Sequence, residues 1–250
     1  MAEPLLKTVD LKKRFGGVNA TDTVSLDVMP GECHAVIGPN GAGKTTLISL
    51  LNGALSPDSG AVIFDGQRID SLPVHARCHL GLARSFQITS VLMDMPIVQN
   101  VALAIQARQG HSFRFWSNAS KDRSLVDPAM EFLRHVGLHA RARENASTLS
   151  HGERRQLEIA MALATDPKLL LLDEPMAGMG PDESEVMIKT LGKLKGTKTM
   201  LLVEHDMDAV FALADRISVL VYGQIIASGP PDAIRNDDAV KRAYLGDEAA

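Results

Sequence analysis

The stretch GPNGAGKTT, residues 38–46, combines glycines with a lysine and a pair of threonines. It follows a short apolar run, residues 33–37, that predicts a buried strand, and it leads into the apolar helical pattern of residues 47–51. Glycines let successive backbone N–H groups turn inward around phosphate oxygens, and the positive end of the following helix adds to the attraction. The pattern therefore predicts a phosphate-binding loop made of Gly38, Pro39, Asn40, Gly41, Ala42, Gly43, Lys44, Thr45 and Thr46.

Two side chains near the end of this loop have chemistry of their own. Lys44 can reach the β- and γ-phosphates of a nucleotide, and the hydroxyl of Thr45 can bind Mg²⁺. The alternative is a plain glycine-rich turn, which the strand–loop–helix context disfavours. Lys44 and Thr45 are therefore the expected contacts to the phosphates and to the metal.

Two adjacent carboxylates end the apolar run LLLLDEP, residues 169–175. Asp173, at the carboxyl end of a predicted strand, is placed to hold Mg²⁺ through water. Glu174 is the best candidate to position or deprotonate the attacking water. Two carboxylates at a buried strand end repel each other unless a cation or a proton is shared. Together with the phosphate loop, the pair predicts a nucleoside triphosphatase.

A third stretch, STLSHGERRQLEIAMALA at residues 147–164, predicts a helix. Ser150 and Glu153 have the spacing of a capping box, in which each side chain bonds a backbone N–H that the helix leaves unpaired. Leu157, Ala160, Met161 and Ala164 then repeat at helical spacing and are expected to face a core. Nothing nearby in sequence offers this helix start a ligand, so on its own it predicts only a well-capped helix.

These motifs need a scaffold that brings strand ends together. Short apolar runs alternate with helical patterns, which predicts an α/β fold with a mostly parallel sheet covered on both faces. The predicted strands of that sheet are residues 33–37, 168–172, 199–203 and 217–221, and helices are expected to begin near Lys44, Pro181 and Asp206. Residues 24–28 and 61–64 are predicted as antiparallel additions.

The middle of the chain has a different pattern. From about residue 96 to residue 147 it is rich in helical signals and has no strand signal. We expect one domain over residues 1–250, in which residues 1–95 and 148–250 form the α/β core with a β subdomain. Residues of about 96–147 are expected to form a helical subdomain inserted into that core.

Composition excludes several classes of protein. Of the 250 residues, 45% are hydrophobic and 22% are charged, so the chain can bury a sizeable core. The net charge of −4 is spread over interspersed acidic and basic residues, which argues against binding to nucleic acid. Cys33 and Cys78 are expected to be reduced thiols of a cytoplasmic protein. No apolar run is long enough to span a membrane and no secretory signal is evident, so membrane contact is expected through partners.

Two further residues complete an ordered set of motifs. Gln87 ends LGLARSFQ, and His205 follows the apolar run in TMLLVEHD. The order of phosphate loop, glutamine, Leu-Ser-x-Gly helix, Asp-Glu strand and histidine resembles the ATP-binding cassette (ABC) family over nearly the whole chain. The resemblance implies a P-loop NTPase (RecA-like) core with a mostly parallel sheet, an antiparallel β subdomain and an inserted helical subdomain. It also implies ATP as the nucleotide and Mg²⁺ as its metal.

In that family two cassettes pair head to tail, and the Leu-Ser-x-Gly helix of one faces the γ-phosphate bound by the other. The resemblance implies that Ser150, Gly152 and Glu153 serve the nucleotide of a second subunit, through the positive end of their helix. It further implies that Gln87 contacts Mg²⁺ and the attacking water and senses the membrane partner. By the same resemblance His205 holds the γ-phosphate. Phe15, in LKKRFGG, takes the place of the aromatic residue that stacks on adenine, and the alternative for Phe15 is a core position.

Three residues depart from the family pattern. His151 stands where the family usually has glycine, and Glu153 where it often has glutamine. Both changes keep the backbone donors of the helix start, so we expect function to persist. Gly180 stands where many members have an aspartate that contacts the partner's site. We therefore expect weaker communication between the two sites than in the commonest members.

The resemblance extends to a subfamily. The stretches GLARSFQ, LEIAMALATDPKLLLLDEPMAGM and AYLG are similar to the ATP-binding subunits of branched-chain amino-acid importers, and amide and urea importers share many of these features. A non-transport cassette ATPase and a small-molecule kinase remain as alternatives. The expected partners are a second cassette, identical or similar, and integral membrane permeases, with a solute-binding protein acting through them. The expected location is the cytoplasm, on the inner face of the cell membrane.

Overall fold

The computed structural model of the chain describes residues 3–84, 91–109 and 122–245. Its strands are β1 Leu6–Phe15, β2 Val18–Val24, β3 Asp27–Val28, β4 Cys33–Ile37, β5 Ser59–Phe64, β6 Gln67–Arg68, β7 Leu82–Arg84, β8 Leu169–Asp173, β9 Thr199–Val203, β10 Arg216–Val221 and β11 Gln224–Gly229. Its α-helices are α1 Lys44–Asn52, α2 Val74–Leu80, α3 Ile97–Gln109, α4 Arg123–His135, α5 His151–Ala164, α6 Pro181–Gly192, α7 Met207–Leu213, α8 Pro231–Asn236 and α9 Asp238–Leu245.

One six-stranded sheet carries the predicted motifs. Its strand order is β11-β10-β4-β9-β8-β7, and all neighbours are parallel except the antiparallel pair β10 and β11. Every residue of β4, β8 and β9 is buried, because helices cover one face and α1 with the second sheet covers the other. The predicted α/β core with a mostly parallel sheet is confirmed.

The second sheet is antiparallel, with the order β2-β1-β5-β6, and β3 pairs with the opposite end of β1. This sheet is the predicted β subdomain, and β5 confirms the strand predicted at residues 61–64. The single strand predicted at residues 24–28 is wrong. The chain pairs with the second half of β1 up to Val24 and with the first half from Asp27. Between these two pairings, Leu26 N donates to Thr8 Oγ1 of β1 (2.9 Å).

The helical region packs on one side of the parallel sheet. Helices α3 and α4 contact each other, and both contact α5. The chain enters and leaves this region at one place, because Ile97 N donates to Glu144 O (2.9 Å) and Ala146 N donates to Met95 O (3.0 Å). On this basis we propose that residues 96–147 form an inserted helical subdomain. Among the described residues, no helix combines the length and the apolar character that crossing a membrane requires.

Candidate functional site

The phosphate loop joins β4 to α1 and is wedged between two other strands. A Cβ added to Gly38 would lie 2.0 Å from the carbonyl oxygen of Leu220 in β10. A Cβ added to Gly43 would lie 2.0 Å from the carbonyl oxygen of Ala20 in β2, and Gly43 has φ +106°. Backbone of neighbouring strands therefore occupies the space that any side chain at these two positions would need. The loop can take this path only with glycine at both positions.

Lys44 begins α1 and turns back over the loop. Its Nζ donates to Gly38 O (2.6 Å) and to Pro39 O (3.0 Å), and the residue is 7% exposed. Burial lowers the pKa of the Lys44 ammonium group below its ordinary value, and the nearby Glu174 and Asp173 carboxylates act in the opposite direction. The positive charge is thus held over the loop backbone and close to the acidic pair, whereas Thr45 beside it is exposed.

Asp173 ends β8, and its carboxylate pairs with Arg84 at the end of the adjacent β7 (2.7 Å). The Arg84 guanidinium is a cation of the kind that two adjacent carboxylates need at a buried strand end. Sequence reasoning assigned no role to Arg84, although it lies in the quoted stretch LGLARSFQ. Its approach to Asp173 follows from the parallel pairing of β7 with β8, which joins residues 89 positions apart in the chain.

Glu174 follows Asp173 and has a left-handed backbone, with φ +47°. Its N–H donates to Val203 O (2.8 Å), so the pairing of β8 with β9 continues to this residue. Such a conformation costs about 1–3 kcal/mol in a residue other than glycine, and it persists only where its surroundings enforce it. The carboxylate is partly exposed, with 40% of the side chain accessible.

The structure brings His205 next to Glu174, because β8 and β9 are neighbours and both residues follow the ends of their strands. His205 Nδ1 lies 3.8 Å from Glu174 Oε1 and 3.6 Å from Oε2 of the buried Glu204. Both distances exceed that of a hydrogen bond, and 62% of the His205 side chain is exposed. His205 can therefore turn toward a ligand above the strand ends. Glu204 is a second residue that sequence reasoning did not identify.

The start of α5 has the predicted capping box. Ser150 Oγ accepts from Glu153 N (3.2 Å), and Glu153 Oε2 accepts from Ser150 N (2.9 Å). Arg141 donates to both carboxylate oxygens of Glu153 (2.7 and 2.6 Å). Ser150 Oγ also donates to Glu183 Oε1 in the first turn of α6 (3.0 Å). Arg141 and Glu183 lie well away from the motif in sequence, and no sequence signal identified them.

Glycine at position 152 has a steric reason. A Cβ there would lie 2.7 Å from the Glu183 carboxyl carbon, so α5 and α6 approach closely at their first turns. His151 and Gly180, two of the three departures from the family pattern, also have contacts in this region. His151 lies against Gly178, where an added Cβ would be 3.5 Å from the ring, and Gly180 N donates to Glu183 Oε2 (3.4 Å).

The structure does not bring all the predicted residues to one place. Among the described residues, no hydrogen bond joins Ser150, Gly152 or Glu153 to the phosphate loop. Phe15, at the end of β1, is 47% exposed, so the alternative of a core position is wrong. Lys13 Nζ lies 5.7 Å from the centre of its ring. Gln87 lies outside the described residues.

The residues present fit a nucleotide with its magnesium ion. The loop has the glycines and the lysine that a phosphate chain requires, and no described group of three or more His, Cys, Asp or Glu side chains could hold a metal alone. Mg²⁺ on a nucleotide needs only one or two protein oxygens, because phosphates and waters supply the others. The hydroxyl of Thr45 and the carboxylate of Asp173 are such oxygens.

Comparison with known proteins agrees with this geometry. The model of the ABC transporter family matches residues 21–177, and a model described as branched-chain amino acid ATP-binding cassette transporter matches residues 224–250. Curated relatives include the high-affinity branched-chain amino acid transport ATP-binding proteins LivG of Escherichia coli (strain K12) and BraF of Pseudomonas aeruginosa. Each is 37% identical over 254 residues, covering 99% of this chain and 100% of the relative.

Solved structures give the same result. MJ1267, an ATP-binding cassette of an ABC transporter in its ADP conformation, has 31% sequence identity and a TM-score of 0.86, covering 98% of this chain and 100% of its own. A nucleotide-free ATP-binding cassette from an ABC transporter has 31% identity and a TM-score of 0.84, covering 97% and 99%. The chain therefore belongs to the ABC transporter family and is one of its ATP-hydrolysing cassettes.

Proposed function

We propose that this cassette hydrolyses ATP to drive the import of branched-chain amino acids through membrane permeases. One observation carries the hydrolytic part. The Glu174 carboxylate, the His205 ring and the Lys44 ammonium group lie together where the parallel strands end, which is where ligands bind in open α/β sheets. The solute is inferred from the names of the relatives, which are branched-chain amino acid transport ATP-binding proteins.

Each residue has a distinct part in the proposed reaction. The backbone N–H groups of the loop and Lys44 hold the β- and γ-phosphates, and Phe15 stacks on the adenine. Thr45 and Asp173, with Gln87, would hold Mg²⁺, which would supply positive charge against the phosphates. Glu174 orients the attacking water and accepts its proton, and His205 binds the γ-phosphate oxygens. Arg84 stays paired with Asp173 and holds that carboxylate in place.

A second cassette supplies the other half of the site in this proposal. Ser150, Gly152 and the N–H groups that follow them face the partner's γ-phosphate, because they begin a helix and none of their described hydrogen bonds goes to their own loop. Glu153 acts indirectly, since its carboxylate is engaged by Arg141 and by Ser150 N. It fixes the shape of the helix start rather than touching the nucleotide.

The cassette has a surface that suits a permease partner. A groove of about 650 Å³ lies between the α/β core and the helical region. Its lining is mostly apolar and includes Val74, Leu92 and Leu103, whose side chains are 42%, 48% and 38% exposed. Exposed apolar side chains that line one groove are typical of a protein-binding site. We propose that a permease segment binds here and places the cassette on the inner face of the membrane.

The hydrolytic part is tested with Glu174→Gln. The amide keeps the size of the side chain but is not a base, so steady-state ATP hydrolysis by the full-length chain should fall by about 10²-fold or more. Equilibrium binding of ATP should stay close to that of the wild type, and the variant should accumulate as an ATP-bound pair. Turnover near the wild-type rate would show that Glu174 is not the residue that activates water.

The transport part needs the permeases. The cassette would be reconstituted in liposomes with permeases and a solute-binding protein from its own organism, and ATP-dependent uptake of labelled leucine, isoleucine and valine would be measured. Urea and short amides serve as competing solutes in the same vesicles. Uptake of branched-chain amino acids supports the proposal. Uptake of urea or amides alone would assign the cassette to the other group of importers.

A further inference from the structure

Glu204 is a fully buried carboxylate at the end of β9, and the proposed reaction gives it no part. Its exposure is 0%, and it lies between the two loops that carry Glu174 and His205. Burying a carboxylate is costly unless the charge is paired or receives several hydrogen bonds.

The bonds of Glu204 all go to backbone N–H groups. Oε1 accepts from Met176 N (2.9 Å), which belongs to the loop after β8. Oε2 accepts from His205 N (2.9 Å) and Asp206 N (3.3 Å), which belong to the loop after β9. Bonds from N–H groups to a charged acceptor are stronger than bonds between neutral groups. One buried side chain therefore ties the two loops together.

The position of Glu174 depends on this tie. Its left-handed backbone needs support from its surroundings. On one side Glu174 N is bonded to Val203 O (2.8 Å), and on the other side Met176 N is bonded to Glu204. Both supports come from the end of β9, so the loop that carries Glu174 is held at two points around that residue.

His205 is held by the same carboxylate. Glu204 fixes the backbone N–H of His205 and lies 3.6 Å from its Nδ1. The distance of 3.8 Å between His205 Nδ1 and Glu174 Oε1 is thus set through a shared anchor. We propose that Glu204 is a positioning residue for ATP hydrolysis: it fixes the Glu174 carboxylate and the His205 ring relative to each other. This inference rests on the proposed roles of Glu174 and His205.

The competing explanation is that Glu204 only stabilises the fold. Glu32 is a matched control for it, because its carboxylate also accepts a backbone N–H, from Met29 (2.6 Å), and pairs with Arg216 (2.7 Å). Glu32 lies just before β4, at the end of that strand opposite the phosphate loop. Glu32→Gln should therefore cost stability without touching either loop of the site.

The first measurement tests whether the Glu204 carboxylate holds the two loops. In Glu204→Gln the amide has a single acceptor oxygen, so one of the two loops loses its bond. Hydrogen exchange of the full-length chain should become faster around Met176 or around His205 and Asp206, and Glu32→Gln should leave these amides unchanged. Glu204→Asp keeps the charge but shortens the reach, and it serves where the glutamine variant folds poorly. Unchanged exchange at both loops would overturn the proposal.

The second measurement tests whether loss of the Glu204 carboxylate lowers the rate of ATP hydrolysis. A displaced catalytic group costs kcat rather than substrate binding, so Glu204→Gln should lower kcat about 10- to 100-fold and change KM by less than about two-fold. Glu32→Gln should stay near the wild type in both. In the Glu174→Gln background, Glu204→Gln should cost less than it does in the wild-type chain, because one of the two residues through which it acts has already been replaced.

The outcomes separate the two proposals. A kcat loss no larger than that of Glu32→Gln, or a loss that adds fully to that of Glu174→Gln, would overturn the positioning role while the hydrolytic function stands. Wild-type turnover that survives Glu174→Gln would overturn the assignment of Glu174 and the positioning role that depends on it. Faster exchange together with the kcat loss and non-additivity supports the inference.

Discussion

The phosphate loop and the start of α5 are both glycine-containing helix starts, yet they are built differently. In the loop, Gly38 and Gly43 lie against backbone carbonyls of β10 and β2, and Lys44 is bonded to the loop's own carbonyls. At α5, Gly152 lies against the side chain of Glu183, and the helix caps itself through Ser150 and Glu153. The loop is thus confined by backbone and bonded to itself. The start of α5 is well formed, and its described hydrogen bonds go to side chains and backbone outside that loop.

The two helix starts therefore differ in how rigidly their surroundings hold them. Backbone neighbours cannot move aside without disturbing the sheet, whereas a glutamate side chain can rotate away from Ser150 and Gly152. We infer that the loop is preformed for its ligand and that the α5 surface adapts when a second cassette arrives.

The largest effect is expected from Gly43→Ala. The new methyl group would meet Ala20 O at 2.0 Å with φ +106°, so crowding and backbone strain should together cost at least about 3 kcal/mol of unfolding free energy. ATP binding should be lost with the shape of the loop. Denaturant unfolding and equilibrium ATP binding measure the two effects.

Gly66→Ala is the control for this variant. Gly66 has φ +75° in the turn between β5 and β6, and nothing lies within 4 Å of its added Cβ. It should cost only the conformational strain, about 1 kcal/mol. Equal losses in the two variants would contradict the view that neighbouring backbone confines the loop.

ATP binding to the isolated chain should depend on the phosphate loop and not on the start of α5. Lys44→Ala removes a charged hydrogen-bond donor worth about 1.5–3 kcal/mol, so affinity should fall about 10- to 100-fold. Ser150→Arg should leave the affinity nearly unchanged, because Ser150 has no described contact with the loop. Titration with a fluorescent ATP analogue measures both. If Ser150→Arg weakened binding as much as Lys44→Ala, the α5 start would serve its own site.

Mixing the two variants gives a smaller but more specific effect. In a homodimer of one Ser150→Arg chain and one Lys44→Ala chain, one composite site has both regions intact and the other has both lesions. Each variant alone has a lesion in both sites. In an equal mixture about half of the dimers contain one chain of each kind, and each of these has one intact site of two. ATP hydrolysis that neither variant shows alone should therefore recover to about a quarter of the wild-type rate if the sites act independently. No recovery at any mixing ratio would argue against head-to-tail sharing, and with a heterologous partner cassette the same test is run in the heterodimer.

The smallest effect is expected from Glu153→Gln. Burial alone would raise the pKa of the Glu153 carboxyl, but hydrogen bonds from Arg141 and Ser150 N outweigh it and hold the pKa below its ordinary value of 4.5. The ion pair thus stabilises the folded chain above about pH 4.5, and this is lost as the pH falls through the lowered pKa. Because Arg141 and Glu153 are each about a third exposed, the variant should lose at most about 1 kcal/mol at pH 7.

Unfolding of this variant and the wild type at neutral and acidic pH measures the difference, which should vanish in acid. Glu185→Gln, which removes an exposed pair with Lys189 on α6, is the control and should have a still smaller effect. A loss of several kcal/mol in Glu153→Gln would show that the α5 start is as tightly built as the phosphate loop.

Much of the fold could be predicted because it depends on local patterns. The runs of β4, β8 and β9 are apolar throughout, which is what strands buried on both faces require, and their positions agree with the predictions to within a residue. The long strand β1 was missed. Its pairing with β2 and β5 is interrupted by bulges, and Asp10 has a left-handed backbone, so no regular alternation marks it.

The sequence by itself determined the phosphate loop, the Asp-Glu pair and the capping box of α5. Each of these depends on residues a few positions apart, whose backbone must fold together whatever surrounds them. The tertiary structure alone decided which distant groups meet there: Arg84 with Asp173, Glu204 with Met176, and Glu183 with Ser150. These pairs are 89, 28 and 33 residues apart, and they meet because parallel pairing aligns the strand ends and because α5 packs on α6. Local spacing carries no information about which strands pair or which helices pack together. That pairing and packing decide which of these distant groups meet.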